Sequence, residues 1–174
     1  ATTAQSSQAV LTPAEHFGFK PGADRMLLDY EELINYLQKL DAASPRLKLV
    51  EIGKSPLGRP MYIAFLSLEE NINRLNRLKD INRKLALDPN LTESERAPLF
   101  DEGKVFVLAA LSMHSDEVGP AQASPLIAHE LVTTQDSRLL EWLEDTVYMM
   151  IPSHNPDGMD MVVQHYRKYK GTKY

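Results

Sequence analysis

At 174 residues, 43% of them hydrophobic and 25% charged, the chain has the length and composition of one folded domain rather than of a disordered tract. A net charge of -5 gives no broad attraction to nucleic acid or anionic membranes, and no apolar run approaches the ~20 residues that span a bilayer. With no cysteine there is neither a disulfide nor a thiolate metal site, so any bound metal must rest on His, Asp and Glu.

The opening "ATTAQSSQA" is small and polar, like the mature end left by secretory processing, which points to a secreted or periplasmic protein; a cut introduced for expression would leave the same edge. Residues 1–26 carry Pro13, Gly18, Pro21 and Gly22 among scattered apolar residues and read as an irregular lead-in, with the folded domain running over 27–174. Asp29 then caps a helix in which Leu33, Leu37 and Leu40 share a face, and Ser44-Pro45 ends it, because a residue before proline avoids the helical region. The stretches "LKLVEIG" and "MYIAFLS" read as two strands of a hairpin, joined by "KSPLGRP", whose glycine and prolines suit a bend. From Asn71 to Asp88, Ile72, Leu75, Leu78, Ile81 and Leu85 step by three or four, which predicts an amphipathic helix. The polar "DPNLTESERAPLFDEGK" reads as a surface loop with at most a turn of helix at Thr92 to Arg96.

"VFVLAAL", from Val105, is apolar throughout and predicts a strand buried on both faces, and "DTVYMMIP" repeats that character. Between them, Pro120 to Thr134 and Ser137 to Glu144 read as helices, the second capped by Asp136 or Ser137, while Pro125 either kinks the first or opens it. The order of these elements predicts an α/β fold, with helices on both faces of a mixed sheet.

His114 and Glu117 follow the strand "VFVLAAL" within a few residues, and in open α/β sheets ligands gather beyond the carboxyl ends of the strands. A spacing of three lets both side chains turn toward one point, and an imidazole with a carboxylate supplies two ligand types of a catalytic zinc site. Two ligands are not three, and the same spacing also occurs as plain polar punctuation after a strand. The other histidines offer no substitute. His129 lies within helical "PLIAHELV", where "HELVT" lacks the second histidine of an HExxH site; His154 precedes a turn; His16 and His165 have no suggestive context.

The succession of "EELINYLQKL", "IGKSPLGRPMYIAFLS", the strand leading into "HSDE", and "IPSHNPDGMD" resembles the amino-terminal half of the zinc carboxypeptidases. The likeness covers roughly Leu27 to Tyr174 and is most specific at Gly53 to Pro60, His114 to Glu117 and Asn155 to Gly158. It implies a truncated zinc-carboxypeptidase-like (phosphorylase/hydrolase-like) fold, with His114 and Glu117 as the first two zinc ligands of a His₂Glu site. It further implies substrate contacts from Asn155, Arg167 and Lys170, near a turn made by "NPDG". Asp116 stands where many family members place an arginine along the substrate groove, which disfavours a substrate carboxylate there.

The family's second histidine ligand, its asparagine-arginine pair and its general-base glutamate belong to the carboxyl-terminal half, beyond Tyr174, so none of the catalytic residues proper falls in this chain. The resemblance therefore implies zinc-assisted hydrolysis of a peptide or small amide substrate in the parent protein, with the missing carboxyl-terminal half as partner and the 174-residue chain inactive alone. A related zinc amide deacylase and a non-catalytic binding module of the same fold are the rival readings. RNA binding through 71–88 is disfavoured, because its basic residues have no interleaved aromatics.

Overall fold

The computed structural model describes residues 10–173. The opening "ATTAQSSQA" therefore lies outside the described residues. The lead-in is less irregular than its glycines and prolines imply. Helix α1 (Pro13–Phe17) starts with a capping box in which Thr12 and Glu15 satisfy each other's backbone donors, a signature that the scattered apolar residues obscure. It lies against α2 (Tyr30–Ala43) through rings of His16 and Phe17 stacked on Tyr36. Helix α2 begins and ends where its caps predict, with Asp29 and Glu32 forming a second capping box and Ser44 closing it.

Strands β1 (Leu47–Lys54) and β2 (Pro60–Leu66) form the expected antiparallel hairpin, with a register shift between Glu51 and Gly53. The predicted helix over 71–88 is interrupted at Arg74, giving α3 (Glu69–Asn73) and α4 (Leu75–Leu87). The presumed surface loop after it is largely helical: α5 (Glu93–Glu102) opens with a third capping box, Thr92 with Glu95, and carries Pro98 internally. Arg77 Nε donates to Glu102 Oε1 at 2.9 Å, tying α4 to α5. Strand β3 (Val105–Ala110) leads to α6 (Val118–Thr133), which starts two residues before Pro120 and contains Pro125. Helix α7 (Ser137–Asp145), capped by Asp136, precedes β4 (Thr146–Ile151). "NPDG" is not a free turn but the start of α8 (Pro156–Tyr169), where Asn155 accepts the Gly158 N–H and Pro156 occupies the first helical position.

The sheet order is β1-β2-β4-β3, antiparallel except for the parallel pair β3 and β4, so the mixed sheet is observed. Alternation along β2 sends Ala64 and Leu66 into a core with α2, α6 and α8, and Ile63 and Phe65 into a second core with α4 and α5. Helices thus cover both faces. The burial expected of "VFVLAAL" fails at β3. It is an edge strand, with Val105 61% and Leu108 57% exposed on opposite faces, because among the described residues only β4 pairs with it and no helix covers its outer side. Among the described residues, no helix is long and apolar enough to cross a membrane.

Candidate functional site

Parallel pairing of β3 with β4 brings the loops after both strands to one edge of the sheet. Pairing continues past the strands: Leu111 N donates to Ile151 O at 3.0 Å, His154 N to Leu111 O at 2.7 Å, and Asn155 N to Ser112 O at 3.3 Å. At Ser112 the chain turns sharply, with φ at 50° in the left-handed region that side chains other than glycine rarely adopt. The buried Ser112 hydroxyl donates to Glu117 O and accepts the Ala121 N–H at 2.9 Å. One side chain therefore fixes the position of Glu117 and satisfies a free donor of the first turn of α6.

Within this frame His114 and Glu117 meet directly. His114 Nδ1 lies 2.9 Å from Glu117 Oε1, and the His114 backbone N–H donates to Glu117 Oε2 at 3.0 Å. The carboxylate hydrogen bond holds the imidazole above its ordinary pKa, and the same bond holds Glu117 below the usual carboxylate range. Both side chains are open to solvent, at 71% and 48% exposure. A nitrogen and an oxygen donor thus stand side by side at an accessible surface. As a donor set they fit two positions of a zinc site that keeps an open place for water, with the ion replacing the proton they share. Among the described residues no group of three His, Cys, Asp or Glu is assembled to complete it.

The residues expected to contact substrate fall in two places. Asp116 is exposed beside the pair, and its charge adds a little to the rise of the His114 pKa. Asn155 is also local: it caps α8, and its Nδ2 lies 3.4 Å from Ser115 Oγ. Arg167 and Lys170 sit at the far end of α8, about 18 Å and about 22 Å of helix from Asn155. Arg167 donates to Asp29 Oδ2 at 2.8 Å, Glu32 Oε2 at 2.7 Å and Leu27 O at 2.7 Å, while Lys170 donates to Arg25 O at 2.7 Å. Arg167 thus fastens α8 to the start of α2, and Lys170 fastens it to the lead-in. His129 stays half-buried within α6, and His165 stacks on Tyr169 at 4.6 Å.

Two groups escaped the sequence reading. Ser112 gives no local signal, because nothing in its neighbours announces a left-handed backbone. The other is Arg59, whose place in "KSPLGRP" suggests only a bend. Its Nε lies 3.2 Å from Asp157 Oδ1 and its Nη1 2.8 Å from Asp160 Oδ2, both carboxylates being buried in the first turns of α8. The basic and acidic letters of "GRP" and "NPDGMD" were visible, but not their pairing. A cavity of about 770 Å³ near Met161, His165, Tyr166 and Lys170 does not reach His114 or Glu117. A second, about 440 Å³, lies between Pro21 to Leu27 and the first turns of α6 at Val118 and Gly119.

A family model described as zinc carboxypeptidase matches residues 33–174. Among solved structures, the fold is similar to carboxypeptidase A from Helicoverpa armigera, at 23% identity and a TM-score of 0.52, covering 85% of this chain and 27% of that one. It is likewise similar to thrombin activatable fibrinolysis inhibitor, at 11% identity and a TM-score of 0.56, covering 93% of this chain and 32% of that one. The chain thus spans about a third or less of the length of these structures. No curated protein matches.

Proposed function

Because the chain belongs to the zinc carboxypeptidase family, we propose that it contributes His114 and Glu117 as the first two ligands of a hydrolytic zinc centre acting on peptide or small amide substrates. The observation that carries this reading is the 2.9 Å approach of His114 Nδ1 to Glu117 Oε1 beyond the carboxyl end of β3. Bound zinc would supply Lewis acidity toward the scissile carbonyl and an activated water. His114 must shed its proton to bind, so its hydrogen bond to Glu117 sets how readily it does. Ser112 keeps the Glu117 backbone in place as that exchange occurs, and Asn155 and Asp116 border the approach to the ion. The open edge of β3, apolar on both faces, is where the remainder of the domain would pair and bring the third ligand and the general base.

The test is a zinc titration of the 174-residue chain followed by the His114 ring resonance in NMR, alongside His114→Ala and Glu117→Gln. Zinc should move the His114 signal, and each substitution should weaken binding by about 10-fold or more. Zinc binding that survives both substitutions at full strength overturns the ligand assignment. In the parent protein, His114→Ala should abolish peptide hydrolysis, and unchanged turnover would defeat the enzymatic reading.

A further inference from the structure

The hairpin turn Ser55 to Arg59 and the first turns of α8 are a hundred residues apart in sequence and form one polar unit, in which Ser55, Asp157 and Asp160 are buried and Arg59 is partly exposed. Ser55 Oγ donates to Asp157 Oδ1 at 2.9 Å and accepts the Arg59 N–H at 3.0 Å. The Leu57 N–H donates to Asp157 Oδ2 at 3.1 Å. Arg59 lies against both Asp157 and Asp160, and the second oxygen of Asp160 accepts the Tyr30 N–H at 2.8 Å. The Tyr30 hydroxyl in turn donates to Pro60 O at 3.0 Å, so α2, the hairpin and α8 close on one another.

The other side of that same turn of α8 faces the candidate metal loop. Gly158, next to Asp157, packs so tightly on the loop that a Cβ built there would lie 2.1 Å from Ser115 Oγ and 2.8 Å from Ser115 Cβ. Asn155 reaches the same serine. Ser115 is the residue between His114 and Asp116. A contiguous path therefore runs from Arg59 through Asp157 and the Gly158 backbone to Ser115 and its neighbour His114.

We propose that Arg59 is a positioning residue: paired with Asp157 and Asp160, it presses the first turn of α8 against Ser115 and so fixes the loop that presents His114 to Glu117. The proposal rests on the reading that this pair holds the metal. Burying an ion cluster is a poor route to stability alone, because desolvation of the charges offsets much of their attraction. What such a cluster does supply is directionality, since each carboxylate oxygen here has its own donor and the helix cannot slide or rotate without breaking several at once.

The experiment compares wild-type chain with Arg59→Gln, Arg59→Lys and Ile81→Val, the last a core change between α4 and the opposite face of the sheet. Thermal unfolding, the metal-free His114 ring resonance and zinc affinity are read for each at a temperature where all are folded. Arg59→Gln should shift the metal-free His114 signal and weaken zinc binding roughly 3- to 10-fold. Arg59→Lys, which retains charge but not the fork, should fall between it and wild type. Ile81→Val should lower the unfolding temperature and leave both His114 readouts alone. If Arg59→Gln behaves like Ile81→Val, the positioning role is wrong. If it moves the metal-free signal while wild-type chain ignores zinc, positioning stands and the metal reading falls. Should Arg59→Gln not fold, Asp157→Asn, which removes the charge facing Arg59 and keeps one oxygen to accept from Ser55 or Leu57 but not both, carries the same comparison with the same outcomes.

Discussion

Replacing Gly158 by alanine measures how firmly α8 is seated on the His114 loop. A Cβ at this position meets Ser115 Cβ at 2.8 Å, about 0.6 Å inside the ~3.4 Å of an ordinary contact. Rotation can move the serine Oγ away, but Ser115 Cβ moves only with its backbone, so the loop or the helix must shift by that amount. Overpacking of this kind costs about 1–3 kcal/mol, and the rigid partner places it in the upper half of that range. Alanine recovers up to about 1 kcal/mol, because it orders more cheaply than glycine in a helix. The net loss of about 1–2 kcal/mol lowers the unfolding temperature of a chain this size by about 2–8 °C. Circular dichroism melts of Gly158→Ala, Ser115→Gly and the double variant check this as a thermodynamic cycle. The double variant should recover part of that stability, since Asn155 Nδ2 at 2.7 Å from the same Cβ stays in place, with a coupling of about 1 kcal/mol or more. Additive losses, or a Gly158→Ala protein more stable than wild type, would refute the close packing from which the His114 loop takes its position.

Glu117→Gln should lower the midpoint of the His114 NMR titration toward its ordinary 6.5, since the carboxylate is the main cause of its rise; an unchanged midpoint contradicts the pairing. The raised His114 stabilises the fold fully below 6.5 and loses that contribution as pH rises through its folded pKa, whereas the lowered Glu117 contributes above 4.5 and loses it as pH falls through its own. Stability from the pair should therefore be flat between 4.5 and 6.5 and decline on either side. Asp116→Asn should weaken zinc binding roughly two- to threefold at low salt, an effect that disappears near 1 M salt where charges are screened within ~3 Å. A loss independent of salt would assign Asp116 a direct bond instead. Val107→Lys should reduce self-association of the 174-residue chain in sedimentation experiments, because a charge on an exposed edge strand opposes pairing with another copy; equal association in both proteins rules out that edge as the contact.

Helix α2, whose apolar residues keep a 3.6-residue period, was legible almost to the residue, because caps and periodicity are local and agree, while the single helix expected over 71–88 is broken at Arg74. Asp29 and Ser44 bound α2 as their chemistry requires. The failures were local signals outweighed by composition. "LTESERAPLF" contains a capping box, Thr92 with Glu95, yet its charge and Pro98 disguise a helix whose only buried residue is Leu99. For β3 the error had a different source. An apolar strand reads as central whether its neighbour is present or not, and the exposure of Val105 and Leu108 depends on what lies beside the strand rather than on its own residues.

The same distinction decides how much of the site could be read. His114 and Glu117 lie three residues apart, so a loop alone can bring them together, and spacing was enough to single them out. Arg59 and Asp157 are separated by nearly a hundred residues, and a charge in a turn ordinarily means only that the turn is wet. Their partnership emerges when the β1–β2 hairpin and α8 converge on one end of the sheet. Asp157 is then no longer a turn acid but the acceptor for Ser55 and Leu57 and the ion partner of Arg59. Gly158 adds a steric condition to that charge: because no Cβ fits between α8 and Ser115, the helix can approach the loop closely enough for the clamp on one side to be felt on the other. Neither residue touches His114, yet the distance from its ring nitrogen to Glu117 depends on both. A motif search that stops at the ligands finds the donors and misses what holds them next to each other.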